Sequence, residues 1–162
     1  MIQWRYDWRE SMKNKRSSVT LIFNKQGELA LQKRAAHDTS YPSHWDFSAA
    51  GGIDEDEDPS DAAVRELKEE LGIEGSPAFV GEYLYKNEST QDRLYVYRMT
   101  YDGSFSPDAN EVQEVKFFSL EQISAMLASD EKFHPEFQFL WNRGIIKWHD
   151  SARNGIESKV LS

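Results

Sequence analysis

The sequence predicts a mixed α/β domain in which helices pack on a sheet. Three observations carry that prediction. β-Branched and aromatic stretches separated by polar breaks read as strands, at "SSVTLIF" (17–23), "PAFVGEYLYKN" (77–87) and "DRLYVYRMTY" (92–101). Apolar residues at helical spacing mark 59–71 and 120–129. The two kinds of segment alternate along the chain with no internal repeat, low-complexity tract or linker between them.

Taken in order, "SSVTLIF" is the first strand and "NKQG" (24–27) is turn chemistry. In "ELALQKR" (28–34), Leu29 and Leu31 alternate with polar neighbours, so the pair reads as a hairpin or a sharp reversal. "AAHDTSYPSH" (35–44) is polar, contains a proline and reads as a loop. "WDFSAA" (45–50) is a short strand running into Gly51 and Gly52. Beyond the acidic helix, 77–87 and 92–101 read as paired strands, "VKFFS" (115–119) as a shorter one, and "LEQISAMLAS" (120–129) as a helix. The segment 135–148, with Phe139, Leu140, Ile145 and Ile146, is expected to close the fold as a helix despite Gly144.

The helix at 59–71 can be argued residue by residue. Asp58 is placed to cap it, Pro59 sits at its first position, and Asp61 lies in the first turn where the dipole favours an anion. Gly72 supplies the stop. At 100° per residue Val64, Leu67 and Leu71 form an apolar stripe, and Glu66, Glu69 and Glu70 are expected on a separate one. That second stripe is unfavourable in isolation. Like charges three or four residues apart cost about 0.2–0.5 kcal/mol per pair, and the last turn of a helix favours cations.

Composition excludes several functions. The 162 residues carry no cysteine, which removes disulfides, thiolate metal sites and cysteine nucleophiles. A net charge of −9 opposes binding to a nucleic-acid polymer, whose affinity rests on many Lys and Arg contacts to phosphate. No segment has the apolar length of a membrane span or the layout of a signal peptide, and a cytoplasmic location is expected. Length and composition suggest one domain over 1–162.

A small phosphorylated ligand accompanied by a cation remains compatible with the charge. Glu66, Glu69 and Glu70 offer clustered hard oxygen ligands suited to Mg²⁺ or Mn²⁺, and a cation would relieve their repulsion. Arg65 is placed to pair with Glu57 or Glu69 and so to fix a carboxylate, while a Gly51 carbonyl can approach an ion closely.

Gly51, five residues, Glu57, seven residues, then "REL", one residue and "EELGI" (65–73) resembles the Nudix box at every fixed position. The resemblance implies the Nudix fold, an α/β/α sandwich with a mixed β-sheet, and hydrolysis of a diphosphate linkage in a small-molecule nucleoside diphosphate derivative. It also implies Mg²⁺ or Mn²⁺ held chiefly by Glu66 and Glu70 with help from Glu69, and a homodimer is common in the family. The segment "LALQKRAAHDTSYPSHWDFSAAGGID" (29–54), with "NEVQEVKFFSLEQI" (110–123), is similar to the isopentenyl-diphosphate isomerase-like branch.

Departures from the isomerase pattern separate the activities within that branch. Ala50 stands where the isomerase has its proton-transferring cysteine, Gly52 where it has a metal-binding histidine, and Ala109 where it has one late acidic residue. Glu111 matches the other late acid and is a candidate base or extra ligand, with Glu114 a weaker one. Water attack at phosphorus assisted by the ion is the implied mechanism, with Glu66 or Glu111 taking the proton. Lys33 and Arg34 are candidate grips on the outer phosphates, and His37 and His44 are loop histidines near the same end. Three classes therefore stand: a metal-dependent diphosphate hydrolase, an isomerase, and a non-catalytic diphosphate-binding module on the same scaffold.

Overall fold

The computed structural model describes residues 13–148, and the expected roles of Trp4 and Trp8 as a sheet cover or subunit contact lie outside that range. The described residues form strands β1 (Lys13–Phe23), β2 (Leu29–Arg34), β3 (Trp45–Asp46), β4 (Ala49–Gly52), β5 (Ala78–Lys86), β6 (Thr90–Thr100) and β7 (Val112–Phe118). Helices are α1 (Pro59–Leu71), α2 (Leu120–Leu127) and α3 (Pro135–Asn142). All seven strands join one sheet in the order β3-β2-β1-β6-β5, with β4 also paired to β1 and β7 to β2. The β1–β6 ladder is parallel from Lys13↔Thr90 to Phe23↔Thr100 and the other ladders are antiparallel, which makes the sheet mixed.

Period-two alternation along the central strands divides the core between the two faces. Val19, Leu21 and Phe23 of β1, Leu29 and Leu31 of β2, and Leu94 and Val96 of β6 face Ile123 of α2 and Phe137 and Leu140 of α3. Ile22 and Ala30 point the other way, onto Leu67 and Leu71 of α1. The result is the expected α/β/α sandwich. Each fully buried Leu, Ile or Phe contributes about 1.5–3 kcal/mol, so both helix layers are held by a continuous apolar contact.

Several local expectations are refined. The Asn24 side chain accepts from the backbone of Gln26 (3.1 Å) and Glu28 (2.9 Å), and Gly27 takes φ 79°, so the β1–β2 reversal is a tight Asx-type turn. Those strands pair only at Phe23↔Leu29, because β2 then turns to β7 and β3. The single strand expected at 45–50 is two, β3 paired to β2 and β4 paired to β1, with Gly51 and Gly52 inside the second ladder opposite Ser18 and Ser17. The helix expected over 135–148 stops at Asn142, where Gly144 at φ 71° reverses the chain. Trp148 still packs, its ring 5.5 Å from that of Phe23. Helix α2 begins with a reciprocal cap between Ser119 and Gln122. Among the described residues no helix is long and apolar enough to cross a membrane.

Candidate functional site

Helix α1 packs on β1 and β4, and that contact decides which carboxylates are buried. Asp58 occupies the N-cap position without a capping side-chain bond, Pro59 opens the helix, and Gly72 closes it at φ 66° with its N–H donating to Leu67 O and Lys68 O. The buried face comprises Ala62, Ala63, Glu66, Leu67, Glu70 and Leu71. Val64 is 41% exposed, which corrects its expected place on the apolar stripe. Glu66 and Glu70 correct the separate acidic stripe, since they share the packed face and only Glu69 is exposed. The small Ala62 and Ala63 bring the helix close to the sheet, and the two glutamates fill the edge of that contact beside β4.

Glu70 is fixed from two sides. Its Oε1 accepts from the Ala50 backbone N–H (2.9 Å) and its Oε2 from the Gln32 side-chain amide (3.0 Å), which also donates to Ser48 O (3.2 Å). Burial holds its pKa well above the ordinary carboxylate value, against the lowering effect of the Gln32 bond. Glu66 lies against Gly51, where a Cβ would overlap its carboxylate. Desolvation pushes Glu66 up to about 7, with Arg65 pulling it down and Glu69 and Glu111 adding to the rise.

Arg65 organises the remaining acids. Its Nε and Nη2 donate to the two oxygens of Glu57 (2.8 and 2.9 Å), and its Nη1 to Glu66 Oε1 (2.8 Å) and Glu69 Oε2 (3.1 Å). Nη2 also reaches Gly52 O (2.9 Å), which ties the helix to the glycine strand. The bidentate guanidinium bond holds Glu57 down to about 2, and Glu57 in turn accepts from Asp54 N–H (3.1 Å). Arg65 thus pairs with Glu57 and Glu69, as its spacing suggested, and reaches Glu66 and the Gly52 carbonyl as well.

A cavity of about 520 Å³ opens beside this cluster, lined by Gln32, Arg34, Gly51, Glu66, Glu69, Glu70 and Glu111 among others. Burial, then Asp108, raises the pKa of Glu111. Among the sequence candidates the structure therefore brings together Gly51, Glu66, Glu69, Glu70 and Glu111 with Arg34, and places Arg65 and Glu57 against them. Lys33 is not brought in. Strand alternation turns it to the opposite face, where its ammonium lies 5.4 Å from the centre of the Trp45 ring. Arg34 does line the cavity, but its guanidinium is paired to Asp38 and Asp46, each at 3.0 Å. His37 also lines it, whereas the His44 ring nitrogen contacts Pro42 O (2.8 Å) and Glu114 stands opposite Lys33 in the β2–β7 ladder.

Gln32 is the residue that sequence reasoning missed. Its signal was the same alternation, which puts it on the Arg34 face and opposite to Leu31 and Lys33. Among the described residues no three or more His, Cys, Asp or Glu side chains are already closed into a metal cage. The donors present nonetheless fit a hard divalent cation: carboxylate oxygens raised in pKa by burial and mutual repulsion, beside a glycine whose missing side chain leaves room.

Comparison with known proteins bears on the whole arrangement. The NUDIX domain model matches residues 13–138. An uncharacterized Nudix hydrolase of Listeria monocytogenes is 32% identical over 120 residues, covering 72% of this chain and 69% of that protein. One from Pseudomonas aeruginosa is 32% identical over 107 residues, covering 65% and 63%. Isopentenyl-diphosphate Delta-isomerase II of Clarkia breweri is 28% identical over a 172-residue alignment, covering 90% of this chain and 60% of that one. The chain thus spans about two thirds of the length of these relatives. In fold, it matches a MutT protein of Methanosarcina mazei with a TM-score of 0.71 at 24% identity, covering 82% of this chain and 93% of that one. The match extends from β1 through the glycine strand and α1 into α3, and the chain belongs to the Nudix family.

Proposed function

We propose that the protein hydrolyses a diphosphate linkage in a small molecule with Mg²⁺, or Mn²⁺ in its place, held by Glu66, Glu69, Glu70 and the Gly51 carbonyl. The observation that carries this reading is the burial of Glu66 and Glu70 side by side under the glycine strand, where neither serves the core. Placing two carboxylates there is costly unless a cation compensates. The ion, when bound, supplies charge neutralisation at phosphoryl oxygens and acidity to water.

The chain's own groups supply orientation and proton transfer. Gln32 and the Ala50 N–H fix both oxygens of Glu70, so its carboxylate cannot rotate away from the cavity. Arg65 positions Glu66 and Glu69 and stays anchored by Glu57, which remains ionised at neutral pH. Glu66 is the candidate base, and Glu111 is the alternative on the facing wall. Arg34, already holding Asp38 and Asp46, is the candidate phosphate contact, and Lys33 is not.

Product analysis with Mg²⁺ tests the reading: two phosphorylated products from a nucleoside diphosphate derivative support it. Similarity to the Clarkia isomerase gives a second reading, in which a prenyl diphosphate is rearranged with its diphosphate intact. Ala50 and Gly52 oppose it, since neither can transfer a proton or bind a metal through a side chain. A cytoplasmic location belongs to the same proposal.

A further inference from the structure

Strands β1 and β2 meet at Phe23↔Leu29 and then part. Asn24 N–H donates to Glu28 O (3.0 Å), so by the alternation of an antiparallel ladder the next hydrogen-bonded pair would be Ile22 with Ala30. Ser48 is set into that pair instead. Its Oγ accepts from Ile22 N–H (2.9 Å) and donates to Ala30 O (2.5 Å). All three residues are fully buried, so solvent cannot take the place of the hydroxyl. Ser48 lies between β3, which pairs with β2, and β4, which pairs with β1. The hydroxyl therefore stands where the chain crosses from one strand to the other and holds the two apart.

This crossing sets one of the two donors on Glu70. Gln32 grips it twice, its backbone N–H donating to Phe47 O (3.4 Å) and its side-chain amide to Ser48 O (3.2 Å). The same amide donates to Glu70 Oε2 (3.0 Å). With both amide hydrogens spent, turning the group over would set its oxygen against a carbonyl and a carboxylate. Ser48 O thus fixes the sense in which Gln32 faces Glu70. The other donor, the Ala50 N–H, is carried by the β1–β4 ladder through Val19↔Ala50. Ser48 is not among the residues lining the carboxylate cavity, and it reaches the site only through Gln32.

We propose that Ser48 is a positioning residue of the hydrolytic site: by keeping β1 and β2 apart it orients the Gln32 amide, and through it the Glu70 carboxylate. The inference rests on the hydrolase reading only in taking Glu70 as a ligand of the divalent ion. Without the hydroxyl, Ile22 N–H can close directly on Ala30 O. The crossing segment then shifts, Ser48 O leaves the Gln32 amide, and Glu70 is released on its Oε2 side.

The test uses Ser48→Ala, Gln32→Met and the double variant, with Ile123→Val in the opposite helix layer as a control for lost packing. Mn²⁺ affinity read by electron paramagnetic resonance should weaken about tenfold in Gln32→Met and about fivefold in Ser48→Ala, and stay within about twofold in Ile123→Val. Because Ser48 acts through Gln32, the double variant should bind no more weakly than Gln32→Met alone. In metal-free protein the Gln32 side-chain amide protons should be protected from solvent exchange, and should exchange about tenfold faster in Ser48→Ala, as followed by nuclear magnetic resonance. Should Ser48→Ala fail to fold, Ser48→Cys, whose thiol is a weaker donor and acceptor, should move both readouts the same way. Wild-type Mn²⁺ affinity in the folded Ser48 variant, losses that multiply in the double variant, or Gln32 protons that exchange freely in wild type would each overturn the proposal. The hydrolase reading fails separately, by unchanged turnover in Glu70→Gln, which leaves the exchange comparison in metal-free protein standing.

Discussion

Two acidic regions of this molecule bury carboxylates beside the same glycine strand, and they do so by opposite means. Around α1, Arg65 reaches Glu57, Glu66 and Glu69 at once, while Glu70 takes two donors from β2 and β4. Around β6 and α3, Asp92 accepts one serine hydroxyl, and burial, followed by the bond to Asp92, raises Glu136. The first cluster is held in position by fixed donors around α1, as a cation site needs. The second has no arginine among its partners and meets its repulsion by the raised Glu136 carboxyl bonding to Asp92. What differs between the two is the number of donors that backbone, glutamine and arginine provide.

The sharpest way to break the first half of this contrast is Glu70→Gln. Turnover should fall by about 10²-fold or more, while the metal-free protein still melts cooperatively with a loss of about 1–3 kcal/mol, since an amide cannot accept from both the Gln32 side chain and the Ala50 N–H. Steady-state kinetics and melting of the same preparation check it. Gly51→Ala comes next. The added Cβ displaces the Glu66 carboxylate, and kcat should drop by about tenfold or more while the β1–β4 ladder persists, as read by activity and circular dichroism.

The pH dependence of stability sharpens the comparison, because both regions contribute in one direction. Glu66 is raised from 4.5 to about 7 and Glu136 from 4.5 to about 9, with Glu70 raised as well. The folded state therefore holds protons that the unfolded chain has released above about pH 4.5, so stability falls as pH rises towards 9. Melting temperatures of metal-free protein should decline from pH 5 to pH 9. Mg²⁺ should restore more at pH 8 than at pH 5, since it competes with protons at Glu66 and Glu70. Glu136→Gln, whose amide offers Asp92 a permanent donor, should flatten the upper part of that decline and leave the Mg²⁺ effect in place. The smallest effect is expected from Lys33→Ala: kcat/KM within about twofold of wild type and a stability loss under about 1 kcal/mol, since it removes one cation–π contact to Trp45.

The same contrast explains what could be read in the sequence. The box cluster is local: glycine, glutamate and the "REL…EEL" run lie within 51–73, so helical spacing alone brings the acids together and makes their repulsion visible. Helix α1, the strand pairs and the layered α/β arrangement were legible for the same reason, through period and turn chemistry. Burial within the helix was not. Val64 is exposed and Glu66 buried because α1 tilts its alanines and glutamates towards β4, a tertiary choice that the 100° projection does not contain. Lys33 and Arg34 look alike as a strand-end pair, and only the register of β2 sends one to Trp45 and the other to the cavity. Asp92 and Glu136 gave no signal at all, since a parallel β1–β6 ladder and the docking of α3 are what bring them to one chamber.

The claim on which the account turns is that the α1 acids bind a divalent ion against a diphosphate. Its most direct measurement is Mn²⁺ binding followed by electron paramagnetic resonance, with and without a nucleoside diphosphate, in wild type and Glu70→Gln. Wild type should show a site that tightens when the nucleotide is added and weakens by about tenfold or more in the folded variant. Equal Mn²⁺ binding by the two proteins, with no response to the nucleotide, would contradict it.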